Sequence, residues 1–139
     1  MSQHQSTQTG PTIAQQLALG IVKAHPENDA LGQHVGQRLI MDVAGICIAA
    51  RHEFYVKAAL SSFEQEGHCT VFGFEQKCGV EGAAFVNGIA AHGEDFDDTY
   101  EGGPVHAGVV IVPALLAAAE RHALSGEALL RGVAMGVEV

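Results

Sequence analysis

Apolar residues recur at helical spacing through most of this chain. Ile13, Leu17 and Ile21 follow Thr12, which forms a capping-box pattern with Gln15. This predicts a first helix beginning near Pro11–Thr12 and ended by Pro26. A second helix is expected after Asn28 or Asp29. Leu31, Val35, Leu39, Val43, Cys47 and Ala50 form one apolar face of it. Ile40, Ala44 and Ile48 widen that face, which predicts burial on more than one side. Phe54 to about Phe63 reads as a short third helix. The stretch 67–74 (GHCTVFGF) breaks the pattern and reads as an extended connector or one short strand. Glu81–Ala91, rich in small apolar residues, reads as a helix packed closely on another. Residues 99–105 (TYEGGPV) read as a loop. His106–Ala123 is again helical, with Pro113 forcing a kink or a late start. Ser125 caps a last helix with Glu127 in its first turn. Strands do not alternate with helices, so the expected fold class is all-α, a multi-helix bundle.

Composition supports a packed domain. The chain has 139 residues, 47% hydrophobic and 17% charged, which excludes a disordered polypeptide. Tryptophan is absent, so the core must be built mainly from Ala, Val, Leu and Ile. The net charge is −9, and seven Lys and Arg residues lie scattered without a basic stripe, which argues against nucleic-acid binding. Cys47, Cys69 and Cys78 form no C-x-x-C pair and read as reduced thiols, as in a cytoplasmic protein. The segment MSQHQSTQTG has no apolar h-region. Residues 1–10 are expected to be a disordered tail, with the domain over 11–139. The longest apolar run, Val109–Ala119, is too short to span a bilayer, so no membrane partner is expected. Residues 129–139 (LLRGVAMGVEV) remain apolar and helical up to the last position. That suggests the front piece of something larger.

The chemistry concentrates between Ala90 and Glu120. Glu94, Asp95, Asp97 and Asp98 fall within five positions, with His92 before them and Thr99 and His106 after. Neighbouring carboxylates repel, so such clusters sit in water, bind a cation or do chemistry. If residues 92–99 continue the helix, His92, Asp95 and Thr99 share one face, at i, i+3 and i+7. Asp98 then lies beside them and Asp97 points elsewhere. With His106 returning across the loop, the group suits proton transfer at a carbon next to a carboxylate. Two other readings stay open, a divalent-metal site and a solvated acidic helix end. An EF-hand loop from Asp95 fails, because its sixth and twelfth positions hold Tyr100 and His106. His34, His52, His68 and His122 read as surface or partly buried histidines, and Asn87-Gly88 as a kink or a close-packing point.

A longer run of motifs carries a resemblance. Phe85-Val86-Asn87-Gly88-Ile89-Ala90-Ala91-His92, Asp95-Phe96-Asp97-Asp98-Thr99, His106-Ala107-Gly108 and Pro113-Ala114-Leu115 resemble the MmgE/PrpD family. Asp42-Val43-Ala44-Gly45, Thr70-Val71-Phe72-Gly73 and Gly136-Val137-Glu138 extend the resemblance in order along residues 12–139. It implies the large helical domain of that family, with the family's smaller lid domain absent from this chain. It also implies metal-free, cofactor-free proton transfer on di- or tricarboxylic acids, giving dehydration, decarboxylation or epimerisation. Asp95, Thr99 and His106 match the family's catalytic positions. His92 and Asp98 are expected to contact substrate, and Glu94 and Asp97 to be bystanders. His106-Ala107-Gly108 stands where the family has H-P-G, and one more residue separates Thr99 from His106 than in the decarboxylase pattern. Family enzymes are severalfold longer, and further catalytic groups (a lysine, another histidine, a tyrosine) lie beyond this stretch. The implied partners are the small-molecule acid and either a second copy in a homodimer or a complementing polypeptide carrying the lid. The alternative is a catalytically inactive helical subunit or remnant.

Overall fold

The computed structural model describes residues 10–23, 30–63 and 66–139, without the side chains of residues 30 and 31. Along the described residues run α1 (Ile13–Lys23), α2 (Ala30–Ala50), α3 (Phe54–Ser61), β1 (Cys69–Thr70), β2 (Lys77–Cys78), α4 (Val80–His92), α5 (Ala107–Arg121) and α6 (Gly126–Glu138). The fold is all-α apart from one small ribbon. Most of the 1–10 tail, Pro26, Asn28 and Asp29 lie outside the described residues.

The caps form as the sequence predicts. Thr12 N–H donates to Gln15 Oε1 (2.8 Å) and Gln15 N–H to Thr12 Oγ1 (3.2 Å), a reciprocal capping box. Ser125 Oγ accepts from Ala128 N–H at 3.2 Å and opens α6. Yet α1 buries none of its residues, so its apolar stripe stays uncovered.

At the centre lies α4, packed against α2, α3, α5 and both strands. Its buried positions, Gly82, Ala83, Val86, Asn87, Ala90 and Ala91, are small, and small side chains let neighbouring helices approach. Around them sit Val43 and Cys47 of α2, Val56 and Leu60 of α3, Val109 and Val112 of α5, and Val133 of α6. The face predicted for α2 is narrower than expected. Leu39, Val43, Cys47 and Ala50 are buried, but Val35 and Ile48 are exposed. One side of α2 meets α4, α5 and α6, while Val35, Met41 and Ile48 stay exposed.

Within 67–74 one short strand forms, β1, as expected. It pairs antiparallel with β2, which the sequence did not predict, with Cys69 opposite Cys78 and Thr70 opposite Lys77. Polar groups tie this ribbon to the helices. Asn87, buried in α4, accepts from Phe72 N–H (2.9 Å) and donates to Thr70 O (2.9 Å). Glu120 of α5 accepts from Thr70 N–H (2.6 Å) and Thr70 Oγ1–H (2.5 Å). All three cysteines are buried free thiols. Burial pushes the Cys47 thiol up to about 12 and also raises Cys69 and Cys78, so all three resist forming the reactive thiolate.

Pro113 does not delay α5, which runs from Ala107 to Arg121 with the proline inside. Having no N–H, Pro113 leaves the Val109 carbonyl without its intrahelical donor. Gly88 of α4 faces that oxygen, and a Cβ there would lie 3.4 Å from it. The Asn87-Gly88 pair is thus a close-packing point, with the asparagine bracing the ribbon and the glycine meeting α5.

Candidate active site

The candidate site lies where α4 ends and α5 begins. Helix α4 stops at His92, followed by Gly93 as its C-cap. The expectation that residues 92–99 continue the helix is therefore incorrect. A contact from α3 and a backbone turn mark its end. A Cβ at Gly93 would collide with the Tyr55 ring, which packs against bare backbone there. Asp95 then takes a left-handed backbone conformation (φ 57°), its N–H bonded to His92 O at 3.0 Å. Asp is among the few non-glycine residues that adopt this region readily. The Tyr55 hydroxyl donates to Glu94 Oε1 at 2.8 Å, so Glu94 fastens the turn to α3. Desolvation and that hydrogen bond push the Tyr55 phenol up to about 12.

Loss of helical geometry reorders the acidic cluster. The bend at Asp95 turns Asp97 inward onto the histidines, while Phe96 before it is exposed. The Asp97 side chain has no exposed surface. Its Oδ2 lies 3.0 Å from His92 Nδ1 and 3.1 Å from His106 Nδ1. Oδ1 lies 3.3 Å from His92 Nδ1, so His92 shares its bond between both oxygens. His106 Nδ1 is sealed from solvent but out of line for a hydrogen bond, so its contact with Asp97 is one of proximity and charge. The two imidazole rings stand 5.0 Å apart at 63°.

His106 arrives there because the 99–105 loop closes on itself. Tyr100 N–H donates to Val105 O (2.9 Å) and Gly103 N–H to Tyr100 O (3.2 Å). His106 is the N-cap residue of α5, but its side chain makes no cap bond. Asp98 performs that task instead, accepting from Gly108 N–H at 2.9 and 3.2 Å. A carboxylate there also suits the positive end of the helix dipole. Gly108 has to be bare, because a Cβ would overlap Asp98 and Leu39.

Of the residues singled out from the sequence, His92, Asp95 and His106 come together. Asp95 is loosely held, its side chain 81% exposed and its Oδ1 4.0 Å from His106 Nε2. Thr99 is exposed, and its hydroxyl reaches the Asp97 carbonyl only at 3.5 Å. The Asp98 carboxylate faces the start of α5 and borders a separate cavity with Val35, Arg38, Leu39, Met41 and Asp42. Asp97, taken as pointing elsewhere, sits instead at the centre of the cluster. Gly93 was the available signal, since a glycine directly after a helical histidine marks a helix end. An apolar groove of about 630 Å³ between α4 and α5, lined by Ala84, Phe85, Ile89, Val109 and Val110, leads to His92.

Together these features define an all-helical domain with a His–Asp–His cluster at the junction of two core helices. It belongs to the MmgE/PrpD family, matching the MmgE/PrpD N-terminal domain over residues 15–139. A cis-aconitate decarboxylase-like protein of Aspergillus oryzae is 39% identical over 62 residues, 45% of this chain and 13% of that protein. Cis-aconitate decarboxylase of Aspergillus terreus is 36% identical over 95 residues, 66% of this chain and 19% of that protein. The matched stretches thus cover less than a fifth of these curated relatives. Among the described residues no helix is long and apolar enough to cross a membrane.

Proposed function

We propose that this chain contributes one wall of the active site of a lyase or isomerase acting on di- or tricarboxylic acids, by proton transfer next to a carboxylate. The observation that carries this reading is His106, held beside His92 and the buried Asp97 in a domain of the MmgE/PrpD family. Cis-aconitate decarboxylation and 2-methylcitrate dehydration are the favoured reactions, the first being what the Aspergillus terreus relative is named for. His106 exchanges the proton through Nε2. Asp95, beside that nitrogen, orients it or accepts a substrate hydrogen bond, and Thr99 binds a carboxylate. Asp98 acts through its cap on α5, which aims His106. No metal or cofactor enters this reading.

The chain's net charge of −9 opposes binding of a polyanion. In this reading the cationic groups lie outside these 139 residues, in a lid domain or in a second copy in a homodimer. The cytoplasm suits the three free thiols. The test assays 2-methylcitrate dehydration, cis-aconitate decarboxylation and iminodisuccinate epimerisation, with the chain alone and with a lid-bearing polypeptide of the family. Turnover is expected only with both. A stable complex inert toward all three acids would favour the inactive helical subunit.

A second reading rests on the same side chains. His92, Asp95, Asp97 and His106 can each offer one ligand atom, all within 4.8 Å of one another. Two imidazoles and a carboxylate suit zinc or a similar ion. If the cluster is a resident metal site, EDTA lowers the melting temperature and zinc restores it, and His106→Gln abolishes both effects. Under proton transfer alone, neither treatment moves it.

A further inference from the structure

We infer that Asp97 is the positioning residue of this site and that it serves two acid–base groups, so that His92 as well as His106 carries protons. The sequence casts His92 as a substrate contact and Asp97 as a bystander. The geometry points to other roles. A single oxygen, Asp97 Oδ2, lies 3.0 Å from Nδ1 of His92, in a hydrogen bond, and 3.1 Å from Nδ1 of His106, in a close charged approach without hydrogen-bond alignment. Asp97 has no exposed surface, so water does not compete for it. An ionised carboxylate only accepts hydrogen bonds. It therefore favours the Nδ1–H form of a neutral imidazole beside it, at His92 through the hydrogen bond and at His106 through its negative charge alone. The Nε2 lone pair of each ring is left free to act as a base. The same carboxylate stabilises the imidazolium that forms when either Nε2 takes up a proton, the service an aspartate gives a catalytic histidine in hydrolytic triads.

Two such nitrogens match what the proposed chemistry requires, and this part of the inference rests on that reading. In a dehydration the C–H electron pair becomes the new C=C bond, and the proton passes to one Nε2. The C–O bond breaks as the other ring, in its protonated form, gives the leaving hydroxyl a proton, and water departs. One ring ends with a proton gained and the other with a proton lost, so the pair balances. Both rings are within reach of a ligand, with His92 54% and His106 22% exposed. His92 also stands at the end of the apolar groove between α4 and α5. Helix α4 supplies one ring and the residue before α5 the other. Asp97, in the segment between the helices, sets their spacing.

Nitrogen NMR of the histidine side chains tests the positioning directly and without any turnover. In the unmodified chain at mildly alkaline pH, both rings are expected to carry the proton on Nδ1. Finding either ring mainly as the Nε2–H form, the commoner one in water, would overturn the inference without any variant. In Asp97→Asn both rings should shift toward Nε2–H, whereas a shift of His92 alone would show that Asp97 serves one ring. In His92→Gln, His106 should keep its Nδ1 proton, which checks the pairing should Asp97→Asn fold poorly. In the complemented enzyme, His92→Gln should lower kcat by about 10²-fold or more with KM little changed. A raised KM with kcat preserved would return His92 to a substrate-binding role. Correct tautomers in an enzyme inert toward all three acids would sink the proposed function and leave the positioning role standing.

Discussion

Replacing His106 with glutamine is expected to lower kcat of the complemented enzyme by about 10²–10⁴-fold, the usual worth of a placed general acid or base. Glutamine can occupy a similar volume and offer a nitrogen near the site, but its amide does not exchange a proton at neutral pH. The fold should tolerate the change. His106 makes no cap bond to α5, and its Nδ1 has no aligned hydrogen-bond partner to lose. Asp98 still holds the first turn of the helix through Gly108 N–H. The measurement is kcat and KM beside a melting curve. A large fall in kcat with an unchanged melting temperature assigns the loss to chemistry. Turnover within about threefold of the unmodified enzyme would remove His106 from proton transfer, since a true acid or base is worth far more.

Asn87→Leu is expected to give the largest loss of stability, about 3 kcal/mol. Leucine shares the branching of asparagine and favours a helix, but it is larger, and its methyls cannot approach the ribbon as closely as Oδ1 and Nδ2 do, which adds crowding. Most of the loss comes from two backbone groups. Phe72 N–H and Thr70 O, both turned toward α4, lose Asn87 Oδ1 and Nδ2. Each partly buried group left without a partner costs about 1–3 kcal/mol. For a domain of this size that lowers the melting temperature by roughly 10 °C. Asn87→Asp should recover less than half of the loss, because a carboxylate can accept from Phe72 but cannot donate to Thr70. A thermal or urea melt decides it. A leucine variant as stable as the original would mean that the ribbon is held mainly by Glu120 and the strand pairing.

The helices were largely legible because their signals are local. Thr12 with Gln15, Ser125 with Glu127, and the Leu39–Val43–Cys47–Ala50 stripe each act within a few residues. The second strand was not legible, since Lys77-Cys78 has no alternating pattern of its own. It forms because Cys69 and Thr70 lie opposite and because Asn87 and Glu120 hold the facing strand. Exposure of Val35 and Ile48 was equally hidden, because a helix's own periodicity does not say how many neighbours cover it. In the site, spacing picked out His92, Asp95 and His106 but misplaced Asp97. The helical assumption swung it away, whereas the turn at Gly93 and the left-handed Asp95 bring it inward.

By itself the sequence determined the all-α class, the family, the caps and the stretch from His92 to His106 where the chemistry gathers. Those features rest on side-chain periodicity, on hydrogen bonds within one turn, and on motifs read in order. Only the tertiary structure decided which carboxylate faces the histidines. That choice depended on the Tyr55 ring from α3 lying over Gly93, on the closed 100–105 turn, and on Asp98 capping α5 from ten residues away. The Tyr55–Gly93 contact joins distant parts of the chain, and the turn and the cap fix spacings that helical periodicity does not encode.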